Sequence, residues 1–325
     1  MPDAAIAREE NAVSYLLRRL ASSTVVLFGV TVLTYGLIHL TPGDPARTVL
    51  AEQQGRQPDD DAVNEFRAEE GLDEPIPVQY GNWLGDALGG DLGRSYYGDG
   101  DVLELLLSHL PNTIELAGAS VLIAVAIALP VGVISAVYRG TWVDYISQVI
   151  SLLGLSMPNF WLGYLLIIGG ALRLGVFPVY GAGTPAHLVL PAITLGTGMA
   201  AVLTRLVRSS LLETLEEPYV DAARSRGLAE RGVVVAHALR TALLPVVTIV
   251  GLQLGAVLGG AVVVEVVFQR PGVGTLLVDA VFARDFPVIQ GVTLLVGVTF
   301  VVVNLLTDLA YRRLDPRVSL GGGRA

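Results

Sequence analysis

Six long apolar stretches, set apart by polar segments of unequal length, dominate the chain. They run from Leu20 to Leu40, from Leu116 to Tyr138, within Tyr145 to Leu172, from Val189 to Thr204 and on toward Val207, from about Leu243 to Val264, and from Phe286 to Thr307. Roughly 20 helical residues cross a hydrocarbon core about 30 Å thick. Lipid gives the backbone no hydrogen-bonding partner, so each span must be a helix. The pattern predicts an all-α polytopic membrane protein with six transmembrane helices. Pro130, Pro158, Pro191 and Pro245 fall inside spans or at the start of one. Packed bundles tolerate such kinks; the sharper reading makes them hinges for alternating access.

The first span is preceded by Arg18 and Arg19, as in a signal peptide, but its apolar run is long and no small-residue cleavage site follows. An uncleaved helix is expected. Arginines then set the orientation. Arg8, Arg18 and Arg19 precede span one, and Arg139 lies between spans two and three. Arg205, Arg208, Arg224, Arg226, Arg231 and Arg240 cluster around the connection after span four; Arg312, Arg313 and Arg317 follow span six. All fall on one side, which predicts both termini in the cytoplasm.

The opposite side carries a long segment, 41–112, with 15 Asp and Glu against four arginines. Its length argues against a simple link. It is expected to form a small external subdomain, helical over Asp60 to Glu70 and turn-rich over Gly81 to Gly100, where Trp83, Tyr96 and Tyr97 stand. The predicted organisation is a cytoplasmic segment 1–19, a first helix 20–40, the external subdomain 41–112, a five-helix core 113–312 containing the loop 211–245, and a cytoplasmic tail 313–325.

Composition narrows the chemistry. Of the 325 residues, 52% are hydrophobic and 16% charged, against about 25% charged in soluble domains. The chain has no cysteine, and all 21 of its basic residues are arginine. Without lysine there is no phosphate-gripping P-loop lysine, so the chain is not expected to hydrolyse ATP. The net charge of −9 argues against nucleic acid as a partner. His39, His109, His187 and His237 are scattered without metal-ligand spacing, and no cofactor is implied.

The loop after span four reads EEPYVDAARSRGLAERGVVVAHALRTALLP over 216–245. A helix of about two turns, Glu217 to Arg226, is expected in it. Pro218 suits the first helical position. Glu216, Glu217 and Asp221 sit at the positive end of the helix dipole, and Arg224 and Arg226 at the negative end. Gly227 fits the left-handed residue past the terminus. So short a helix is marginal alone in water and must be held by its own chain or by a partner. Ala222 and Ala223 are small enough to let another surface approach, and Tyr219 is an amphipathic anchor of the kind favoured at interfaces.

The DAARSRG run (221–227) resembles the EAA loop of ABC-importer permeases. Asp221 stands in place of the glutamate, while Ala222, Ala223 and Gly227 match. At the later motif positions stand His237, Leu239 and Arg240, followed by Leu243, Leu244 and Pro245. This departure is similar to the dipeptide, oligopeptide and nickel branch. TPGDP (41–45), GDLGRSY (90–96), MPNFWLGYLL (157–166), RPGVGTLL (270–277), ARDFPVIQG (283–291) and LDPRV (314–318) continue the likeness in order along nearly the whole chain. The first permease of such pairs, with its large external segment after span one, is the nearest match. The resemblance implies a second permease subunit, two ABC ATPase subunits docking on a coupling helix (Glu217, Tyr219, Asp221, Ala222, Ala223, Arg226, Gly227), and an extracellular or periplasmic solute-binding protein. The solutes it implies are peptides or nickel-type compounds.

Span five carries Gly251, Gly255 and Gly259 at four-residue spacing, then Gly260. Close helix packing explains such a stripe; a wide translocation path, with Gln253 on its wall, is the functional reading. Glu265 and Asp308 lie near span ends, and Glu265 is a candidate path residue. The alternative function is a secondary transporter or channel, which would require a coupling-ion site near the midplane. An intramembrane enzyme would need a buried nucleophile and base, and the spans show no such set.

Overall fold

The computed structural model describes residues 2–40, 43–97 and 100–314, apart from the side chains of 2–18, 20, 52 and 308–314. Thr41 and Pro42 of TPGDP, LDPRV beyond Leu314, the rest of the tail, and the side chains of Arg8, Arg18, Asp308, Arg312, Arg313 and Arg317 therefore lie outside the described residues.

Among the described residues thirteen α-helices follow one another: α1 Pro2–Leu40, α2 Pro45–Gln54, α3 Asp60–Glu69, α4 Ile76–Leu88, α5 Val102–Val137, α6 Trp142–Ser156, α7 Asn159–Leu166, α8 Ala186–Leu215, α9 Pro218–Ser225, α10 Glu230–Gly232, α11 Leu239–Val267, α12 Val273–Ala283 and α13 Phe286–Leu314. Single π-helical stretches, Ile167–Arg173 and Val233–Ala238, continue α7 and precede α11. Among the described residues the only β-type pairing is the isolated bridge between Arg94 and Asp101. Among the described residues five helices are long and apolar enough to cross a membrane, or six if the bent pair α6 and α7 makes one span.

That pair corrects the third span. Trp142–Ser156 and Asn159–Arg173 meet at 106°, so Tyr145 to Leu172 is not one rod. Pro158 forces the residue before it out of the helical region; Met157 has φ −84° and ψ 122°. Pro130, Pro191 and Pro245, by contrast, lie inside continuous helices. The fourth span is longer than its apolar run, because α8 continues through Arg205 and Arg208 to Leu215.

The chain divides into two compact units, Met1–Ser108 with Leu276–Val301, and His109–Thr275 with Val302–Ala325. In the first, α2 and α3 share a small core of Ala46, Leu50 and Val63. Both helices start on an aspartate cap: Asp44 accepts from the Ala46 amide at 3.2 Å and Asp59 from the Ala62 amide at 2.8 Å. Arg67 Nη2 donates to Asp44 at 2.8 Å and ties the two together. α4 lies along α1 through aromatic contacts: Tyr80 packs edge-on against Phe28 and Tyr35, and the Tyr35 hydroxyl donates to Gln79. Gly291 of α13 meets Val102 of α5, and Gly297 meets Leu27 of α1.

In the second unit a continuous apolar core links α5, α7, α8 and α11, with Leu116, Leu203, Val207 and Val264 fully enclosed. Two glycines let α5 and α8 touch. A Cβ on Gly132 would stand 2.9 Å from the Thr204 carbonyl, and one on Gly196 would stand 2.7 Å from the Ser120 carbonyl. Neither position has room for a side chain.

Candidate functional site

The loop after α8 folds onto its own unit. Val220 (0% exposed) and Ala223 enter a cluster with Ala136, Leu211, Val233, Val234, Ala238 and Ala242. Val220 and Ala223 are three apart and share one face of α9. This answers how so short a helix persists: burial of that face holds it. Of the alanine pair, Ala223 packs against its own chain and Ala222 faces outward. Val220 was legible as the i, i+3 partner of Ala223.

Charges finish the anchoring. Arg224 donates to Glu230 from Nε and Nη2 (3.2 and 2.9 Å), and from Nη1 to Asp221 (3.1 Å) and to the Leu215 carbonyl (3.4 Å). Its hydrogen bonds to Glu230 and then to Asp221 raise its already high pKa. Arg139 pairs with Glu216 at 3.2 Å. The Tyr219 hydroxyl donates to Thr241 Oγ1 at 3.2 Å, yet the side chain remains exposed. Gly227 has φ +81° with open space around it, so it serves backbone conformation and not close packing. Glu217 is the residue before the first turn, with φ −76° and ψ 141°. The outward face of α9 is thus Glu217, Tyr219, Asp221, Ala222 and Arg226.

The glycines of α11 divide in role. Gly251 lies against Thr307, Gly260 against Leu195, and Gly259 faces open space. Gly255 is half-buried. Gln253 has an enclosed Nε2 with no acceptor among the described residues.

Glu265 is not at a surface. It has no exposed area, and it accepts from Thr113 Oγ1 (2.6 Å), the Gly274 amide (2.8 Å) and the Thr275 amide (3.3 Å). Its carboxylate fills the space that Cβ atoms on Gly272 and Gly274 would need. Beside it Arg270, 1% exposed, pairs with Glu115 at 2.8 Å and donates to the Asn112 carbonyl at 3.2 Å. The carboxylate therefore holds the RPGVGT turn closed in this structure. Nothing in the local sequence marked Thr113 as its partner, 152 residues away.

A second buried charge escaped the sequence reading. Asp144 accepts both donors of Arg208, Nε at 2.7 Å and Nη2 at 2.8 Å, with Ser135 Oγ at 2.6 Å, the Gly140 amide at 3.0 Å and Gln148 Nε2 at 3.0 Å. It joins the α5–α6 turn to α8. Among the described residues no group of three or more His, Cys, Asp or Glu could hold a metal ion.

The family model described as "binding-protein-dependent transport system inner membrane component" matches residues 128–320, and its N-terminal companion matches residues 12–117. The chain belongs to this family. The permease is 41% identical over 305 residues to a glutathione transport system permease protein of Pectobacterium atrosepticum, covering 94% of this chain and 98% of that one. It is 38% identical over 333 residues to a dipeptide transport system permease protein of Alkalihalophilus pseudofirmus, covering 94% and 99%. Its fold is similar to that of the MetNI methionine ABC transporter in an inward-facing conformation, with a TM-score of 0.57 and 21% identity over 66% of this permease and 97% of that chain. The permease is an all-α, multi-pass transmembrane subunit of an ABC importer, a transport component.

Proposed function

We propose that the permease forms half of a path for peptides and is driven through α9 acting as a coupling helix. One observation carries this reading: α9 is pinned by Val220 and Ala223 on one face and leaves Glu217, Tyr219, Asp221, Ala222 and Arg226 outward on the other. A helix fixed on one side and free on the other can transmit a push from a docked partner into α8 and α11. ATP is hydrolysed by two separate ABC ATPase subunits, which grip that outward face. A second, different permease completes the path, with Gln253, Gly255 and Gly259 on its wall, and a solute-binding protein delivers cargo. The relatives named for dipeptide and glutathione transport support a peptide solute.

In this arrangement both termini and α9 lie in the cytoplasm, segment 41–112 lies outside, 113–312 is the core and 313–325 is an inner tail. The arginine bias supports that orientation. The test is a cysteine at Tyr219, in a chain with no native cysteine, oxidised in membranes against cysteines placed in the surface groove of the co-expressed ATPase. The expected result is a permease–ATPase crosslink that changes with nucleotide. Full ATP-dependent uptake without any crosslink, or labelling of Tyr219→Cys only from outside, would overturn the assignment.

A further inference from the structure

Within the first unit, between the end of α1, α4 and the start of α13, lies a half-open cavity of about 240 Å³. Tyr35, Trp83, Tyr96 and Phe286 supply aromatic walls. Four carboxylates, Glu70, Glu74, Asp86 and Asp91, surround them. None of the four is in an ion pair among the described residues; among those residues the Glu74 carboxylate accepts only from Asn82, and the Asp91 carboxylate only from the Gly93 amide. Arg94 also lines the cavity but lies 3.8 Å from Asp101.

One residue in this cavity points to a ligand independently of the charges. Gln290 is 8% exposed and lines the cavity, and its side-chain amide has no hydrogen bond among the described residues. The residue is buried as a whole, yet its amide opens onto the cavity, where a solute can pair with it. The enclosed Trp83 Nε1 likewise has no acceptor among the described residues. Aromatic faces attract cations, unpaired carboxylates raise the local concentration of positive solutes, and the Gln290 carbonyl oxygen is free to accept from an N–H.

We propose that this cavity is a binding site for a small primary ammonium solute, with its charge against the aromatic walls and Glu70 and an N–H on Gln290. The site shares no residue with α9 or with the proposed path wall, and it stands whether or not the transport reading holds. Burial, followed by the Glu70 and Asp285 charges, pushes the Tyr96 phenol above its ordinary range. That ring therefore remains a neutral wall across the physiological range.

The test uses Trp83 as reporter. The full chain carrying Trp142→Phe and Trp161→Phe, both exposed positions, is purified in maltoside micelles and titrated with ethanolammonium chloride at constant ionic strength. Ethylene glycol, the neutral isostere, is the control. Saturable change in Trp83 emission with ethanolammonium and none with ethylene glycol is expected. Glu70→Gln and Gln290→Leu should each weaken binding about fivefold to tenfold, as the loss of one charge-assisted or buried hydrogen bond does. Glu70 is exposed, so its variant folds and the comparison stands even if Gln290→Leu does not. A linear or absent response, equal responses to both solutes, or undiminished binding by Glu70→Gln would overturn the proposal.

Discussion

At the scale of single residues, glycines and one carboxylate set hard limits. A Cβ on Gly274 would stand 2.5 Å from the Val262 Cα and 2.8 Å from Glu265 Oε2, and backbone cannot step aside. Gly274→Ala should therefore displace the carboxylate from its amide donors and cost about 1–3 kcal/mol, as other overpacked or unpaired buried sites do. A lowered thermal midpoint of the full chain in micelles, followed by circular dichroism, checks it; an unchanged midpoint would mean the clamp is slack. Gly227 presents the opposite case. It has room, but its positive φ is resisted by any β-branched residue. Gly227→Val should cost about 1–2 kcal/mol locally and yield complexes that assemble yet have weak ATPase docking or no transport. Uptake and ATPase co-purification measured side by side decide it, and normal values for both would remove the role of this turn.

At the scale of elements, the Asp144–Arg208 pair fastens α8 to the turn between α5 and α6. The two side chains are unequally enclosed, at 2% for Asp144 and 22% for Arg208. Arg208→Leu strands a buried carboxylate and should cost about 3–5 kcal/mol. Asp144→Leu leaves an arginine that can reach toward water and should cost less. The order of the two thermal midpoints is the measurement, and the reverse order would refute the explanation. A third carboxylate, Asp285, precedes α13 and accepts from Ser95 Oγ at 2.5 Å and the Tyr96 amide at 3.3 Å. Burial raises its pKa against the lowering pull of those bonds. With the folded value above the unfolded one, its contribution is full below the unfolded value and is lost as pH rises through the folded value. Asp285→Asn should therefore stabilise the protein relative to wild type most at pH 7.5, and the advantage should shrink on acidification toward about pH 4. Midpoints for both proteins across that range test the sign.

For the whole molecule, the decisive property is sidedness. If the arginine-rich segments are cytoplasmic, a membrane-impermeant label should reach cysteines placed in 43–97 on intact cells and should reach Ala222→Cys only after the membrane is opened. Labelling in the opposite pattern would invert the proposed orientation and take α9 out of reach of any ATPase. By itself the sequence determined the helical class, the apolar cores of the spans and the short helix at 218–225. Those features rest on hydrophobic run length, on the demand of lipid that backbone groups pair within a segment, and on local signals such as Pro218 and Gly227. Tertiary structure alone decided the rest. It placed Ala223 inward and Ala222 outward, bent the third span at Met157–Pro158, joined Thr113 to Glu265 and Arg208 to Asp144, and left Gln290 without a hydrogen bond among the described residues, on the wall of an aromatic cavity. Each of these depends on which distant surfaces meet, and partners separated by 190 residues, as Ser95 and Asp285 are, leave no local trace of one another in the pattern of the chain.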